Sequence, residues 1–314
     1  TGIRFSRHYS QSSWTKTSMA SIWTGMYPHR NGILRFNDAL PGAALLPAEI
    51  LREEGFSTAA IWRNGWVAPT FGFDQGFETY HRPSTGMQIG FQRRESKNPY
   101  AKIAGSDVDV TENAIEFLRL TGNDPFMLYL HYMDAHQYMS DETSALFGSS
   151  YSDLYDNSIH WTDRNIAALI KTLEEENLRD NTIVVLWGDH GWHLGDTNSW
   201  GKKTNFESAT RNALLWRVPG QSAASKGRNE RFVESIDIFP TLVELTGLPP
   251  LPKCEGIDQP PNVACLQGES YASEFLPEGV VKTPSKPKQY AFSQWPFPAW
   301  GNQTMLRQGY TVRS

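Results

Sequence analysis

Two neighbouring residues, Asp189 and His190, combine a carboxylate with an imidazole in a setting that suits metal chemistry. They lie in Gly188-Asp189-His190-Gly191, directly after an apolar run from Ile183 to Trp187. That run predicts a buried, parallel strand, and open α/β sheets bind their ligands at the carboxyl ends of such strands. A carboxylate oxygen beside an imidazole nitrogen suits a divalent cation, so both residues are candidate metal ligands. An ordinary strand-to-loop turn is the alternative explanation.

A hydroxyl-rich turn that begins at Gln11 leads into an apolar, helix-like run and ends at Gly25. The start of a helix leaves backbone N–H groups without partners, and together with Lys16 they predict an anion-binding site. The Thr15 hydroxyl can act there as a nucleophile if a metal ion lowers its pKa. The alternative is that the hydroxyl residues of this turn only cap the helix and line its surface.

Two further apolar runs end in residues that can bind an anion or a metal. Phe126–Leu130 predicts a buried strand and is followed by His131 and His136, with an aspartate between them. Such a cluster fits metal binding or substrate contact, and it also fits a structural role. Ser57–Trp62 predicts another buried strand, which ends at Arg63.

Strands alternate with amphipathic helices over most of the chain. Helices are predicted over 46–54, 156–176 and 235–245, and further strands over 3–10 and 213–218. This alternation predicts an α/β fold with a mostly parallel central sheet and helices on both faces. From Pro249 the chain becomes Pro-rich. We therefore expect an α/β catalytic domain over 1–247 and a segment of a small C-terminal subdomain over 248–314.

The bulk composition is that of a soluble protein. The 314 residues are 39% hydrophobic, with a mean hydropathy of −0.48. A net charge of −5 argues against nucleic acid or an anionic membrane as the main partner. No apolar run is long enough to predict a membrane span. The composition does not define the oligomeric state.

The two cysteines, Cys254 and Cys265, bear on the cellular compartment. They are close enough in sequence to close a small disulfide loop, or they remain two reduced thiols. A disulfide predicts an oxidising compartment, which means a secreted, lysosomal or periplasmic protein. The glycosylation sequon Asn302-Gln303-Thr304 points in the same direction.

Taken in chain order, these segments resemble the sulfatases, a family within the alkaline phosphatase superfamily. The segment from Ser13 to Pro28 resembles the family's nucleophile segment. Phe73-Asp74-Gln75-Gly76-Phe77, the cluster that begins at His131, and Gly188-Asp189-His190-Gly191 also recur in the family. The resemblance covers most of the chain and implies an alkaline-phosphatase-like α/β fold.

The resemblance also implies a role for each matching residue. Thr15 stands at the position of the nucleophile, and Asp189 and His190 stand where the family places metal ligands. His136 and Lys202 stand where a His and a Lys contact the ester group and stabilise its developing charge. The expected catalytic residues are therefore Thr15, Lys202 and His136. The candidates for substrate binding are Lys16, Arg63, His131 and Asn205.

Three departures from the family pattern bear on the expected activity. Sulfatases oxidise a Cys or Ser to formylglycine, and Thr15 cannot become that aldehyde. Met19 and Thr17 replace the expected Arg and Pro, and a Thr nucleophile is instead typical of the phosphodiesterase-like branch. The family's first strand ends in two Asp metal ligands, and the sequence begins after that point. Residues 188–207 resemble one branch of the sulfatases most. That branch has a Lys and a His after the second strand, where this sequence has Arg63 and Trp66.

The sequence therefore predicts a metal-dependent hydrolase that acts on sulfate or phosphate esters through a covalent Thr15 intermediate. Its substrate is expected to be a small-molecule or glycan ester. The expected cofactor is a divalent metal ion: calcium, or zinc or manganese in a phosphoesterase. The alternative is a catalytically inactive sulfatase-like protein that serves as a binding or structural subunit. A serine-triad α/β hydrolase is excluded because the chain has no Gly-x-Ser-x-Gly elbow.

Overall fold

The computed structural model describes residues 2–83, 105–221, 227–255, 265–276, 287–297 and 307–314. The strands are β1 (Ile3–Tyr9), β2 (Ser57–Trp62), β3 (Thr79–His81), β4 (Phe126–His131), β5 (Val184–Trp187), β6 (His193–Leu194), β7 (Trp200–Gly201), β8 (Leu214–Arg217), β9 (Gly227–Glu234), β10 (Ala291–Phe297) and β11 (Arg307–Arg313). The α-helices are α1 (Thr15–Thr24), α2 (Pro28–Asn31), α3 (Pro47–Glu53), α4 (Asp107–Thr121), α5 (Asp134–Gln137), α6 (Tyr151–Glu175), α7 (Glu207–Thr210) and α8 (Ile238–Leu245). The predicted sequon lies outside the described residues.

The chain forms two compact units. The first comprises Thr1–Pro47, Thr70–Phe73 and Thr182–Ser314, and the second comprises Ala48–Pro69 and Asp74–Asn181. The expected boundary between a catalytic domain and a C-terminal subdomain at residue 247 stays a prediction.

The first unit is built on a four-stranded sheet in the order β5-β8-β1-β9. β1 runs parallel to β9 and antiparallel to β8. One face of this sheet carries an aromatic core in which Phe5 and Trp216 pack against Tyr271 and Phe275. Burial of these large rings stabilises the unit because each removes a large apolar area from water.

The expectation that Ile183–Trp187 forms a buried parallel strand is wrong. β5 is antiparallel to β8, and within the described residues it forms one edge of the four-stranded sheet. Val185 and Trp187 pack on the core, whereas Leu186 between them is 38% exposed. An apolar run indicates contact with a core, but the direction of pairing is set by the partner strand, which the run does not encode.

The second unit contains the parallel pairing that the sequence predicts. Its three-stranded sheet has the order β3-β2-β4, and β2 runs parallel to both neighbours. Ile61 of β2 packs against Val110 and Ala114 of α4, which follows β3 in the chain. The predicted strand Ser57–Trp62 is confirmed with the same bounds.

Helix α1 is enclosed by the first unit, since all ten of its residues are buried. It ends at Gly25, whose φ of 62° lies in the left-handed region that favours glycine. A Cβ at this position would lie 2.5 Å from a side-chain carbon of Leu266. The glycine therefore lets the helix stop abruptly against residues of the C-terminal segment.

The C-terminal segment contains the disulfide that the sequence suggested. Cys254 and Cys265 are joined, so the alternative of two reduced thiols is wrong. Among the helices that the structure describes, none has both the length and the apolar character needed to cross a bilayer.

Candidate active site

Thr15 is the first residue of α1 and lies within reach of two groups that come from far along the chain. Its Oγ1 lies 3.3 Å from His190 Nε2 and accepts a hydrogen bond from Lys202 Nζ at 3.2 Å. The preceding residue, Trp14, has extended backbone angles, so the helix begins at the threonine itself. The hydroxyl is thus held at a helix N-terminus, where exposed N–H groups favour a negative charge.

Lys202 follows β7 and completes a three-residue cluster with Thr15 and His190. Its Nζ lies 2.8 Å from His190 Nε2. The carbonyl oxygen of Gly191 accepts a hydrogen bond from His190 Nδ1 at 2.8 Å, so in the neutral imidazole Nε2 is the acceptor. Burial lowers the pKa of Lys202 to about 8, while the carboxylate of Asp189 opposes this shift. The cluster thus places a half-buried cation beside a hydroxyl oxygen.

Asp189 and His190, the predicted metal ligands, lie side by side next to Thr15. Asp189 Oδ2 is 3.2 Å from His190 Nε2, and the Ser18 hydroxyl of α1 donates to the Asp189 carbonyl. A carboxylate oxygen and an imidazole nitrogen are donors that fit a divalent cation. Across the described ranges, however, no group of three or more His, Cys, Asp or Glu side chains could hold a metal ion. The pair therefore fits part of a metal site.

Lys16 is next to Thr15, but its ammonium group is engaged by residues that follow the helix. It is fully buried and donates at 2.6 Å to the carbonyl oxygens of both Phe36 and Asp38. It also lies 4.2 Å from the centre of the Phe71 ring. Burial lowers the pKa of Lys16 to about 7, which the Asp38 carboxylate partly opposes. Its predicted contact with a substrate anion stays a prediction.

Asn205 lies three residues beyond Lys202 and contacts the hairpin formed by β10 and β11. Its side-chain Nδ2 donates to the Gly309 carbonyl at 2.8 Å. Its backbone carbonyl oxygen accepts a hydrogen bond from the Arg313 guanidinium. These contacts anchor the loop that carries Lys202. The predicted role of Asn205 in substrate binding stays a prediction.

The same hairpin also contacts the turn before Thr15. The Ser293 hydroxyl donates to the Ser10 carbonyl at 2.7 Å, and the Gln294 N–H donates to the Gln11 carbonyl at 2.7 Å. The hairpin therefore contacts the loop that carries Lys202 and the turn that precedes Thr15.

Arg63 lies in the second unit, where it is fully enclosed by a network of acidic groups. Its Nη1 donates to the carboxylates of Asp107, at 2.6 Å, and Asp134, and its Nη2 donates to the Gly105 carbonyl. Trp161 Nε1 donates to Asp134 at 2.9 Å. Because the network is buried and well hydrogen-bonded, loss of one partner would leave a charge without compensation. The expected contact of Arg63 with an anion stays a prediction.

His131 and His136 also belong to the second unit. His131 is buried at the end of β4, where its Nδ1 shares a hydrogen bond with the Tyr129 hydroxyl. His136, on α5, is partly exposed, and its Nδ1 lies 2.9 Å from Gln137 Nε2. Their predicted roles in charge stabilisation and substrate contact stay predictions.

Three residues near Lys202 were missed by the sequence analysis. His193 is fully buried and hydrogen-bonds to Asp196 and Thr204, and the Thr204 carbonyl accepts from the Ser13 hydroxyl. The spacing of three residues between His193 and Asp196 is a local signal that could have indicated the pair. The contact with Thr204 depends on the hairpin of β6 and β7 and has no such signal.

Comparison with protein families finds one model, described as Sulfatase, that matches residues 1–248. Iduronate 2-sulfatase of Mus musculus is 29% identical over 196 residues, which cover 51% of this chain and 35% of that protein. Arylsulfatase of Hemicentrotus pulcherrimus is 26% identical over 293 residues, which cover 78% of this chain and 52% of that protein. The chain thus spans about a third to a half of the length of these relatives.

Solved structures show the same fold at low sequence identity. The phosphonate monoester hydrolase of Agrobacterium radiobacter has a TM-score of 0.72 at 18% identity, with 94% of this chain and 73% of that chain covered. A protein crystallised with its substrate D-glucosamine-2-N,6-O-disulfate has a TM-score of 0.70 at 19% identity, with 100% and 80% covered. These similarities confirm the predicted α/β fold of the alkaline phosphatase and sulfatase type.

Proposed function

The chain belongs to the sulfatase family, and from that premise we propose that it hydrolyses sulfate or phosphate esters with Thr15 as the nucleophile. The observation that carries the proposal is the 3.2 Å contact between Lys202 Nζ and Thr15 Oγ1. A half-buried cation beside a hydroxyl at a helix start is suited to an anionic ester, because both the ammonium group and the helix N–H groups attract its oxygens.

The proposed reaction has two displacement steps. In the first, Thr15 Oγ1 forms a bond to the sulfur or phosphorus atom while the bond from that atom to the alcohol oxygen breaks. Thr15 gives up its hydroxyl proton and the departing alcohol oxygen takes up one proton, so the number of protons and the charge are unchanged across the step. In the second, water attacks the Thr15 ester, releases sulfate or phosphate, and restores the hydroxyl. Lys202 stabilises the negative charge on the transferring oxygens in both steps.

Asp189 and His190 are proposed to hold a divalent metal ion beside Thr15. The ion would be calcium, or zinc or manganese if the substrate is a phosphate ester. When bound, such an ion would lower the pKa of the Thr15 hydroxyl and polarise the ester. The support for this proposal is the pair of unlike donors, Asp189 Oδ2 and His190 Nε2, 3.2 Å apart. Use of a divalent metal ion is also general in the sulfatase family.

The proposed substrate is the sulfate ester of a glycan, with small-molecule esters as the wider class. The support comes from the two kinds of relative: one is named for iduronate, and one structural neighbour was crystallised with a disulfated glucosamine. The phosphonate hydrolase neighbours and the Thr15 side chain support the phosphorus-containing alternative. The Cys254–Cys265 disulfide supports a secreted, lysosomal or periplasmic location.

A second candidate function is a non-catalytic binding or structural subunit. It is favoured by the direct contact of Lys202 Nζ with His190 Nε2 at 2.8 Å, because an ammonium group there competes with a cation for the same nitrogen. The contacts of His190 Nε2 and Lys202 Nζ with the Thr15 hydroxyl oxygen favour the hydrolase.

The test compares the purified full-length protein with its Thr15→Val and Thr15→Ser variants. Valine has nearly the shape of threonine and lacks the hydroxyl, whereas serine keeps it. We expect turnover of an aryl sulfate or an aryl phosphate by the parent and by Thr15→Ser, and none above background by Thr15→Val. Mass spectrometry of the acid-quenched protein should detect a sulfuryl or phosphoryl adduct at residue 15, and its mass identifies the ester class.

Two results would reject the hydrolase. One is equal turnover by the parent and Thr15→Val, which would exclude Thr15 as the nucleophile. The other is that the protein, loaded with calcium, zinc or manganese in turn, hydrolyses no ester. That result would support the second candidate, a non-catalytic binding subunit.

A further inference from the structure

His193 is a buried histidine that the proposed reaction does not use. It is fully buried at the start of β6, which pairs with β7 in a short antiparallel hairpin. In this hairpin His193 lies opposite Gly201, the residue directly before Lys202. The backbone of His193 therefore fixes the chain on the N-terminal side of Lys202.

The imidazole of His193 fixes the chain on the C-terminal side of Lys202. Its Nε2 lies 2.8 Å from the hydroxyl oxygen of Thr204, two residues beyond the lysine. Its Nδ1 lies 2.9 Å from Asp196 Oδ2. Because a carboxylate only accepts hydrogen bonds, Nδ1 carries a proton, and in the neutral imidazole Nε2 then accepts from the Thr204 hydroxyl.

Further hydrogen bonds engage the oxygens of Thr204 and Asp196 around this pair. The Thr204 hydroxyl oxygen also accepts from the N–H of Phe206 at 3.2 Å, so its single proton is available for His193. Asp196 accepts further hydrogen bonds from the Ser208 hydroxyl and from the N–H of Leu194. These donors, the Ser208 hydroxyl above all, lower the pKa of Asp196 to about 2 and keep it a carboxylate.

Thr204 connects the lysine loop to the nucleophile turn. Its carbonyl accepts from the Ser13 hydroxyl at 2.7 Å, two residues before Thr15. The path from His193 through Thr204 to Ser13 therefore joins the two chain segments whose side chains meet at the Lys202–Thr15 contact.

The backbone on both sides of Lys202 lies in the left-handed region, which is unfavourable at Lys203 and not at Gly201. Gly201 has a φ of 78° and Lys203 a φ of 59°, in the left-handed region that costs free energy for a residue other than glycine. Such a conformation persists only where surrounding contacts hold it. The two anchors that His193 provides, at Gly201 and at Thr204, lie on either side of this segment.

We propose that His193 is a positioning residue that holds Lys202 against Thr15 through Thr204. The predicted effect of His193 on turnover rests on the proposed function. The predicted effect of His193 on the position of Lys202 does not. Asp196 fixes the tautomer of His193, which in turn fixes Thr204. Loss of the His193–Thr204 hydrogen bond should let the lysine loop relax and move Nζ away from the Thr15 oxygen.

The first experiment compares Thr204→Val with Thr204→Ser in the metal-loaded, full-length protein. Valine keeps the shape but removes the hydroxyl, and serine keeps the hydroxyl. We expect Thr204→Val to lower kcat about 10- to 100-fold with KM changed less than about twofold, because a misplaced charge weakens mainly the transition state. Thr204→Ser should restore most of the loss. His193→Gln, which offers an acceptor near the position of Nε2, should be less impaired than His193→Ala.

A double-mutant cycle with Lys202→Ala separates positioning from general loss of structure. If His193 and Thr204 act through Lys202, Thr204→Val causes no further loss of kcat in the Lys202→Ala background. Additive losses, or a Thr204→Val variant with the parent's kcat, would overturn the proposal.

A third measurement does not depend on activity. The rate of reductive methylation of Lys202 is followed by mass spectrometry, with the neighbouring Lys203 in the same peptide as an internal reference. We expect the ratio of Lys202 to Lys203 modification to rise at least severalfold in Thr204→Val and to stay at the parent value in Thr204→Ser. An unchanged ratio in Thr204→Val overturns the positioning role. A changed ratio in a protein without turnover keeps that role and rejects the proposed function instead.

Discussion

The ammonium nitrogen of Lys202 lies 3.2 Å from the hydroxyl oxygen of Thr15, although 187 residues separate the two in sequence. The contact joins the start of α1 to the loop after β7, and both segments belong to the first unit. It gives the chain a hydroxyl whose closest cationic neighbour is fixed, which is the arrangement that transfer of an anionic group requires.

Replacement of Lys202 by alanine should remove this stabilisation of charge. We expect kcat to fall by about 100- to 1,000-fold, the usual effect of losing one such donor. Lys203→Ala is the matched control, because it removes the same kind of side chain from the next, exposed position and should change kcat less than about twofold. Steady-state kinetics on the ester that the parent hydrolyses measures both. Equal losses in the two variants would assign the effect to the loop and not to the Lys202 charge.

Metal binding at Asp189 and His190 should be detectable without any assay of turnover. A ligand at 100-fold its dissociation constant stabilises a folded protein by about 2.7 kcal/mol, so removal of the ion by a chelator should lower Tm. Asp189→Asn should show a smaller chelator effect, and Asp180→Asn, which changes an exposed carboxylate of the second unit, should keep the parent's response. A chelator effect of the same size in Asp189→Asn would place the metal elsewhere.

Lys16 should make the stability of the protein depend on pH in the alkaline range. Burial lowers its pKa to about 7 in the folded state, whereas a lysine in the unfolded chain titrates at about 10.4. Between these values the unfolded chain binds more protons, so the free energy of unfolding from this group rises with pH and levels off below about pH 7. Urea unfolding across this range measures the slope.

The control for Lys16 is Lys16→Met, which keeps an unbranched apolar side chain and cannot titrate. Other groups titrate in both proteins, so the difference between the two stability curves isolates Lys16. We expect the difference to grow with pH in favour of the parent. Two parallel curves would mean that the Lys16 ammonium keeps its ordinary pKa in the fold.

The disulfide between Cys254 and Cys265 should stabilise the first unit. Closing a loop with a sequence separation of 11 residues is expected to contribute about 3 kcal/mol by restricting the unfolded chain. The double variant Cys254→Ser/Cys265→Ser should therefore unfold at lower urea concentration. A reductant should destabilise the parent and leave the double variant unchanged; destabilisation of both would show that the reductant acts elsewhere.

The sequence predicted local features of the fold well, because they depend on local patterns. The apolar run Ser57–Trp62 lies between two parallel neighbours, and its bounds were predicted correctly. The hydroxyl-rich turn before Thr15 does lead into a helix. The direction of β5 was predicted wrongly because its partner β8 pairs from a separate part of the chain.

The candidate site was predictable where residues lie close in sequence and not where distant partners decide their role. Asp189 and His190 are adjacent in sequence directly after a strand, and their side chains are also adjacent in the structure. The sequence suggested Arg63 as a residue that binds a substrate anion. In the structure its guanidinium donates to Asp107 and Asp134, which lie 44 and 71 residues away. No local sequence pattern predicts such partners, and none predicts the contact between His193 and Thr204.

The hairpin of β10 and β11 limits how far the chain can be shortened from its C-terminus without loss of contacts to the segments of Thr15 and Lys202. The family model ends at residue 248, so a truncation there looks harmless from sequence comparison alone. It would remove the groups that donate to the carbonyls of Ser10, Gln11 and Asn205. Those donors come from Ser293, Gln294 and Arg313. Anyone who trims, tags or fuses the chain should treat its last residues as part of the framework that holds the segments of Thr15 and Lys202.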